Sequence, residues 1–291
     1  NEQDVLPITA PKFRAKIECY LLLYRVPDLC LTTSFDQAQK FYMPMFRIPM
    51  EKCILTDYPR NKILLCPEEK RTRFIEQYEP KETLRFIEQI RRFKKVYIYM
   101  PTWRNNGSDF FKQSGINFKR LEEALQTTHS CFILKLHPFT QMDLSIIKDY
   151  SHIIPFEKQC DINTILPYTN CLITDYSSVY SDYVLLNKEI ILFPFDLEYS
   201  YNRKDYDRNN LEKKKWYGNS PTVDLDDYNK YYLGVKVQTF EELIALIINR
   251  VDCHLTEEDH SFLMKTFWDS YDNGLDLVTE IIDRSRLERN A

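Results

Sequence analysis

An apolar stretch breaks into a hydroxyl-rich turn between Leu172 and Tyr183, and residues of these types in this order can hold a phosphate. The segment reads as a strand from Cys171 to Ile173, a turn from Thr174 to Ser178, a helix from Ser178 to Leu186 and a further strand from Glu189 to Phe193. Backbone N–H groups at a helix start have no intrahelical partner and carry partial positive charge. Ser177 and Ser178 would add hydroxyl donors to a place already suited to an anion. Taken alone, such a D-x-S-S run more often only caps a helix, through Asp175 or Ser177. Three other polar clusters change that reading: Pro101-Thr102-Trp103-Arg104, Lys135-Leu136-His137-Pro138 and Phe195-Asp196. Singly, His137 reads as a structural histidine and Arg104 as a surface residue. Beside the serine pair they would supply a cation, an imidazole that changes charge near neutral pH and an anion cradle. Pro138 restricts the backbone just after His137, which favours one orientation for that side chain.

The elements that must position these residues follow from periodicity. From Lys95 onward, short apolar strands (Val96 to Met100, Cys131 to Leu136, Ile153-Ile154, Cys171 to Thr174, Ile190 to Phe193) alternate with helical stretches. The helices fall near Phe118 to Thr127, Leu144 to Tyr150 and Ile162 to Tyr168, and after Ser178. This alternation predicts an α/β fold with a parallel sheet covered on both faces, which binds ligands at the carboxyl ends of its strands. Each polar cluster follows such an end, so the topology would place them on one edge. Upstream, a strand at Asp28 to Thr32 and a helix at Ser34 to Met43 are expected. Between Pro67 and Phe93 two charged amphipathic helices carry Phe74, Ile75, Leu84, Phe86, Ile87 and Ile90 at helical spacing. The expected organisation is an N-terminal Rossmann-like remainder over 1–66, a helical linker over 67–94 and a nucleotide-binding domain over 95–291.

Composition narrows the chemistry. With 291 residues, 44% of them hydrophobic and 28% charged, the chain can build one large core or two small ones. No run approaches the roughly 20 apolar residues of a membrane span, and no secretory signal opens the chain. Eight cysteines stand singly with no C-x-x-C pair, which predicts reduced core thiols in a cytosolic protein and no zinc site. A net charge of −4 argues against a general nucleic-acid binder. Five glycines allow neither a G-x-G-x-x-G turn nor a Walker loop, so any phosphate site must be built another way. The chain opens at Asn1 without a capped first element, which predicts that it is part of a longer protein.

At these motifs the sequence resembles the CDP-glycerol glycerophosphotransferases, enzymes of teichoic acid and polyol-phosphate capsule synthesis. The matching pieces, in family order, are Thr33-Ser34, Tyr58-Pro59-Arg60-Asn61, Pro101 to Arg104, Lys135 to Pro138 and Thr174 to Val179. Asp182, Phe195-Asp196 with Tyr199 and Arg203, Val237 to Leu243 and Asp272-Asn273-Gly274 follow. The resemblance implies a GT-B-like architecture of two Rossmann-type halves, here with the N-terminal half truncated. Two departures stand out. Family members carry a His-Gly motif in the N-terminal half, taken to supply the base, whereas the first histidine here is His129. Either a segment before Asn1 holds that base or the chain does not perform the full reaction. The stretch from Lys204 to Tyr232, with Lys213 to Tyr217, is also longer and more polar than the family pattern, as a lid, an acceptor contact or a plain insertion would be.

What the resemblance implies is transfer of a polyol phosphate from a CDP-polyol to an acceptor hydroxyl, releasing CMP. In that scheme Ser177, Ser178, Thr174, Asp175, Thr102 and Arg104 border the nucleotide and pyrophosphate, with Asp175 orienting the turn. His137 is the catalytic group, donating to the leaving phosphate. Asp196, Tyr199 and Arg203 border the polyol or acceptor. No metal and no cofactor are expected, since the acidic residues are scattered. The partners implied are CDP-glycerol or a related CDP-polyol, a lipid-linked acceptor and the inner face of the cell membrane, where the enzyme would be cytoplasmic and peripheral. A CMP-sugar glycosyltransferase, which shares the His-Pro and Ser-Ser pairs, and a noncatalytic nucleotide-binding subunit are the alternatives.

Overall fold

The structure is a computed structural model, and it describes residues 29–39, 43, 48–102, 110–137, 143–196, 225–269, 276 and 279–284. The chain divides into two compact units. The larger comprises 58–218 and 222–265, and the smaller 1–57, 219–221 and 266–291. The two amphipathic helices expected as a linker, Glu68–Tyr78 and Lys81–Ile90, fall within the larger unit.

In the smaller unit, β1 (Cys30–Thr32) pairs in parallel with β2 (Cys53–Leu55). Ser34 accepts from Gln37 N and so caps the short helix Phe35–Gln37. Thr33 and Ser34 are both fully buried. Their hydroxyls donate to the carbonyls of Phe267 and Thr266, which meets the rule that buried polar groups must be paired.

The larger unit is built on a six-stranded parallel sheet: β3 (Lys95–Met100), β4 (Ser130–Leu134), β5 (Ile153–Pro155), β6 (Cys171–Thr174), β7 (Glu189–Leu192) and β8 (Val235–Lys236). Its spatial order is β5-β4-β3-β6-β7-β8. The chain therefore winds outward from β3 in one direction, returns, and winds outward from β6 in the other, which is the doubly wound topology. Every residue of β4, β6 and β7 is buried, as expected for strands covered on both faces. On one face Tyr97, Tyr99, Phe132, Leu134, Ile173 and Ile191 pack with Leu121, Ala124 and Leu125 of helix Phe118–Thr128 and with Phe240, Leu243, Ile244 and Ile247 of helix Phe240–Ile248. Alternating residues point the other way, and Ile98, Ile133, Leu172 and Ile190 are all fully buried there.

Helix ends are closed locally. Asn117 caps helix Phe118–Thr128 at its start, and His129 ends it in the left-handed region (φ 57°). Thr239 and Glu242 form a reciprocal capping box at the start of helix Phe240–Ile248. Gly234, at φ 123°, precedes the edge strand β8, and a Cβ there would stand 3.3 Å from the carbonyl oxygen of Ile190. Only glycine suits that position.

Candidate functional site

The strands leave the sheet level with one another. Leu134, Tyr99, Ile173 and Ile191 lie in one row across β4, β3, β6 and β7, and Met100, Thr174 and Leu192 form the next. The loops carrying His137, Thr102, Ser177 and Asp196 therefore start from a common rim. His137 and Ser177 follow strands two places apart, about 10 Å between strand axes. The gap between them is the switch point, where β3 and β6 are neighbours and their following loops diverge.

Asp175 closes that gap. It is 1% exposed. Both of its carboxylate oxygens accept from Thr102 N at 3.0 Å, and Oδ1 also accepts from Thr102 Oγ1 at 2.7 Å and from Tyr176 N at 2.6 Å. Thr174 is likewise engaged, its Oγ1 donating to Met100 O at 2.7 Å. These two residues stitch the loop after β6 to the loop after β3. The capping reading is corrected: helix Val179–Val184 has Ser178 at its N-cap with no side-chain capping bond. The Asp175 carboxylate accepts instead from Thr102, in the loop after β3, and from Tyr176 N.

Ser177 is half-buried and Ser178 exposed, and the pair makes no side-chain hydrogen bond among the described residues. His137 is exposed at the end of β4, and Asp196 is half-buried after β7. Lys135, half-buried just after β4, lies over the Phe156 ring at 5.3 Å, and burial lowers its ammonium below the ordinary lysine range. On the far side, Tyr232 Oη donates to Tyr176 O at 3.1 Å and supports the turn from the segment before β8. Arg104, Tyr199 and Arg203 lie outside the described residues, as does Pro138.

Comparison with known proteins identifies the group. The family profile described as CDP-Glycerol:Poly(glycerophosphate) glycerophosphotransferase matches residues 12–214. The chain belongs to this family. Among curated relatives of this glycerophosphotransferase family member is the teichoic acid poly(ribitol-phosphate) polymerase of Bacillus spizizenii, 33% identical over 217 residues, 74% of this chain and 31% of that protein. The teichoic acid ribitol-phosphate polymerase TarK of Staphylococcus aureus is 32% identical over 240 residues, 80% of this chain and 40% of the relative. The chain thus spans well under half the length of these two relatives. A solved structure of the wall teichoic acid polymerase TagF is similar in fold, with a TM-score of 0.65 at 19% identity, covering 99% of this chain and 64% of that one. This likeness bears out the α/β, GT-B-like expectation.

One further cluster of ligand-type atoms lies at the opposite, amino edge of this family member's sheet. Glu189, Asp252 and His254 place such atoms within 4.8 Å of one another. Glu189 already has a cation, Lys95 Nζ at 2.7 Å. No helix among the described residues is long and apolar enough to cross a membrane.

Residue-by-residue reading of the sequence missed the roles of Tyr232 and Arg60. Arg60 stood within a noted motif, and its partner Asp182 was noted too. Only the fold brings them together.

Proposed function

We propose that the chain is the nucleotide-holding part of a polyol-phosphate transferase of teichoic acid type, taking a CDP-polyol and releasing CMP as a hydroxyl of a lipid-linked or polymeric acceptor attacks the distal phosphorus. The observation that carries this reading is the switch-point rim. There Asp175 fixes Thr102, while the Ser177 and Ser178 hydroxyls stay available at a helix start within the family-matched segment. In such a transfer the protein contributes chiefly positioning and charge stabilisation. Ser177, Ser178 and the adjoining N–H groups would hold the pyrophosphate, and His137 would donate to the leaving phosphate. Arg104 would balance charge, and Asp196, Tyr199 and Arg203 would border the polyol or acceptor. The reading needs no resident metal, because protein cations serve the phosphates.

Two relatives are named as ribitol-phosphate polymerases, which favours CDP-ribitol as the first donor to test, with CDP-glycerol beside it. A TagF variant soaked with CDPG supports the donor class. Work on a lipid-linked acceptor would place the protein at the cytoplasmic face of the membrane as a peripheral enzyme.

Calorimetry with CMP, CDP-glycerol and CDP-ribitol tests the site. His137→Ala and Ser177→Ala should fold normally and lose about 1 to 3 kcal/mol of binding, the worth of a hydrogen bond to a charged group. Unchanged affinity in both variants would remove the site assignment. Release of CMP from donor in the presence of acceptor would separate a transferase from a noncatalytic binding subunit.

A further inference from the structure

Two pieces of the sequence pattern have no part in the site as proposed: Tyr58-Pro59-Arg60-Asn61 and Asp182. In the fold they meet. Arg60 Nε donates to Asp182 Oδ2 and Arg60 Nη2 to Asp182 Oδ1, both at 3.1 Å. This is the two-point pairing that a planar guanidinium makes with a carboxylate and that a lysine ammonium cannot reproduce. Asp182 stands four residues after Ser178, one turn along the same face of helix Val179–Val184. The helix that starts at the serine pair is therefore gripped from outside by a residue 122 positions earlier in the chain.

Both ends of the grip are themselves held. The Asp182 side chain is 11% exposed against 43% for Arg60, so the carboxylate depends on its partner more than the guanidinium does. Burial pushes the Asp182 carboxyl above the usual range, and the Arg60 guanidinium pulls it back. Arg60 lies over the Tyr58 ring at 4.2 Å. The helix that follows it, Asn61–Leu65, buries Asn61 and Leu64. Arg71, 8% exposed, closes the other end of that helix by donating to the carbonyls of Ile63, Leu64 and Cys66. Arg60 is thus presented from a short helix fixed at both ends.

We propose that Arg60 is a positioning residue for the phosphate-binding turn: its two-point bond to Asp182 sets the start of helix Val179–Val184 and so the direction of the Ser177 and Ser178 hydroxyls toward a nucleoside diphosphate. The proposal rests on the functional reading above. It requires no contact between Arg60 and substrate, which separates it from a simple electrostatic role.

The test is CMP and CDP-glycerol affinity of the full chain, measured well below the unfolding temperature, with thermal unfolding followed in parallel. Arg60→Lys and Asp182→Asn should each weaken binding about tenfold, the worth of one charge-assisted hydrogen bond in the site. The Arg60→Lys/Asp182→Asn double variant should be no weaker than either single one, because both act through the same bond. Wild-type affinity in Arg60→Lys would overturn the two-point role, as would additive losses in the double variant. A merely structural role would lower the unfolding temperature and leave the affinity of the folded fraction alone. If the wild-type chain itself binds neither probe, the functional reading fails and this proposal with it. If the wild type binds and His137→Ala weakens it while the Arg60 and Asp182 variants do not, only this proposal falls.

Discussion

The two rims of the six-stranded sheet use polar residues in opposite ways. At the amino rim polar side chains pair with one another. Lys95 reaches past the start of β6 to Glu189, which also accepts from Cys253 N. Glu122, 6% exposed, accepts from the backbone N–H groups of Ser151 and His152 and pairs with the His152 ring at 3.0 Å. At the carboxyl rim Asp175 and Thr174 pair the inner layer in this way, while the exposed Ser178 and the half-buried Ser177 make no side-chain hydrogen bond among the described residues. The same sheet thus has one edge whose polar side chains close the fold and one where, on the proposed reading, the serine pair would meet a ligand. Stability and binding should respond separately to changes at the two rims.

The largest effect expected from breaking this contrast lies at the amino rim. Glu189→Ala strands the Lys95 ammonium, 20% exposed, and should cost about 3 to 5 kcal/mol of stability, the usual loss when a buried pair is halved. CMP affinity of the folded fraction should stay within a factor of about two, measured by urea unfolding and calorimetry side by side. Asp175→Ala should move both readouts. It removes the acceptor for Thr102 and Tyr176, so about 2 to 3 kcal/mol of stability should go together with nucleotide binding. Loss of stability alone would show that the bridge holds the fold without shaping the site.

A smaller effect comes from pH. Burial pushes the Cys131 thiol up to about 12 and the Cys253 thiol up to about 11, whereas unfolded thiols ionise near pH 8.5. The folded state keeps protons that the unfolded chain releases. The stabilisation is present below about pH 8.5 and is lost as pH rises toward these values, with Cys131 contributing more than Cys253 because its thiol is pushed up further. Lys188 works in the other direction: burial lowers it to about 8, so its penalty fades as pH rises from there. Melting temperatures from pH 8 to 10.5 should fall, and Cys131→Ala should flatten the fall. The smallest effect is at the open rim. Ser178→Ala, at an exposed hydroxyl with no partner among the described residues, should change stability by no more than about 0.5 kcal/mol. A larger loss of stability there would erase the contrast between the edges.

Much of this was legible in the sequence because parallel strands buried on both faces announce themselves as continuous apolar runs. Strands expected at Val96 to Met100, Cys131 to Leu136 and Cys171 to Thr174 are observed within two residues of those bounds. The stretch expected as a helix from Ile162 to Tyr168 is also helical, tightening from Leu166, beside Pro167. β8 escaped notice because two residues carry no periodicity. The capping box at Thr239 and Glu242 was available as a T-x-x-E signature and was read only as part of a family likeness. Asp175 was expected to orient the turn, but its partner could not be read from the sequence: Thr102 lies 73 positions away. The same holds for Arg60 and Asp182. Local periodicity reports which residues are covered, and only strand order reports which distant loops become neighbours.

The Asp175 bridge also bears on how the protein matures. It joins the first strand of one winding to the first strand of the other, so neither half-sheet can assemble the rim by itself. A nascent chain that has folded β3, β4 and β5 still lacks the turn that would receive a ligand. On the proposed reading, competence to bind would arrive only with the return of the chain to the centre of the sheet, and a nucleotide added during refolding would report that late event.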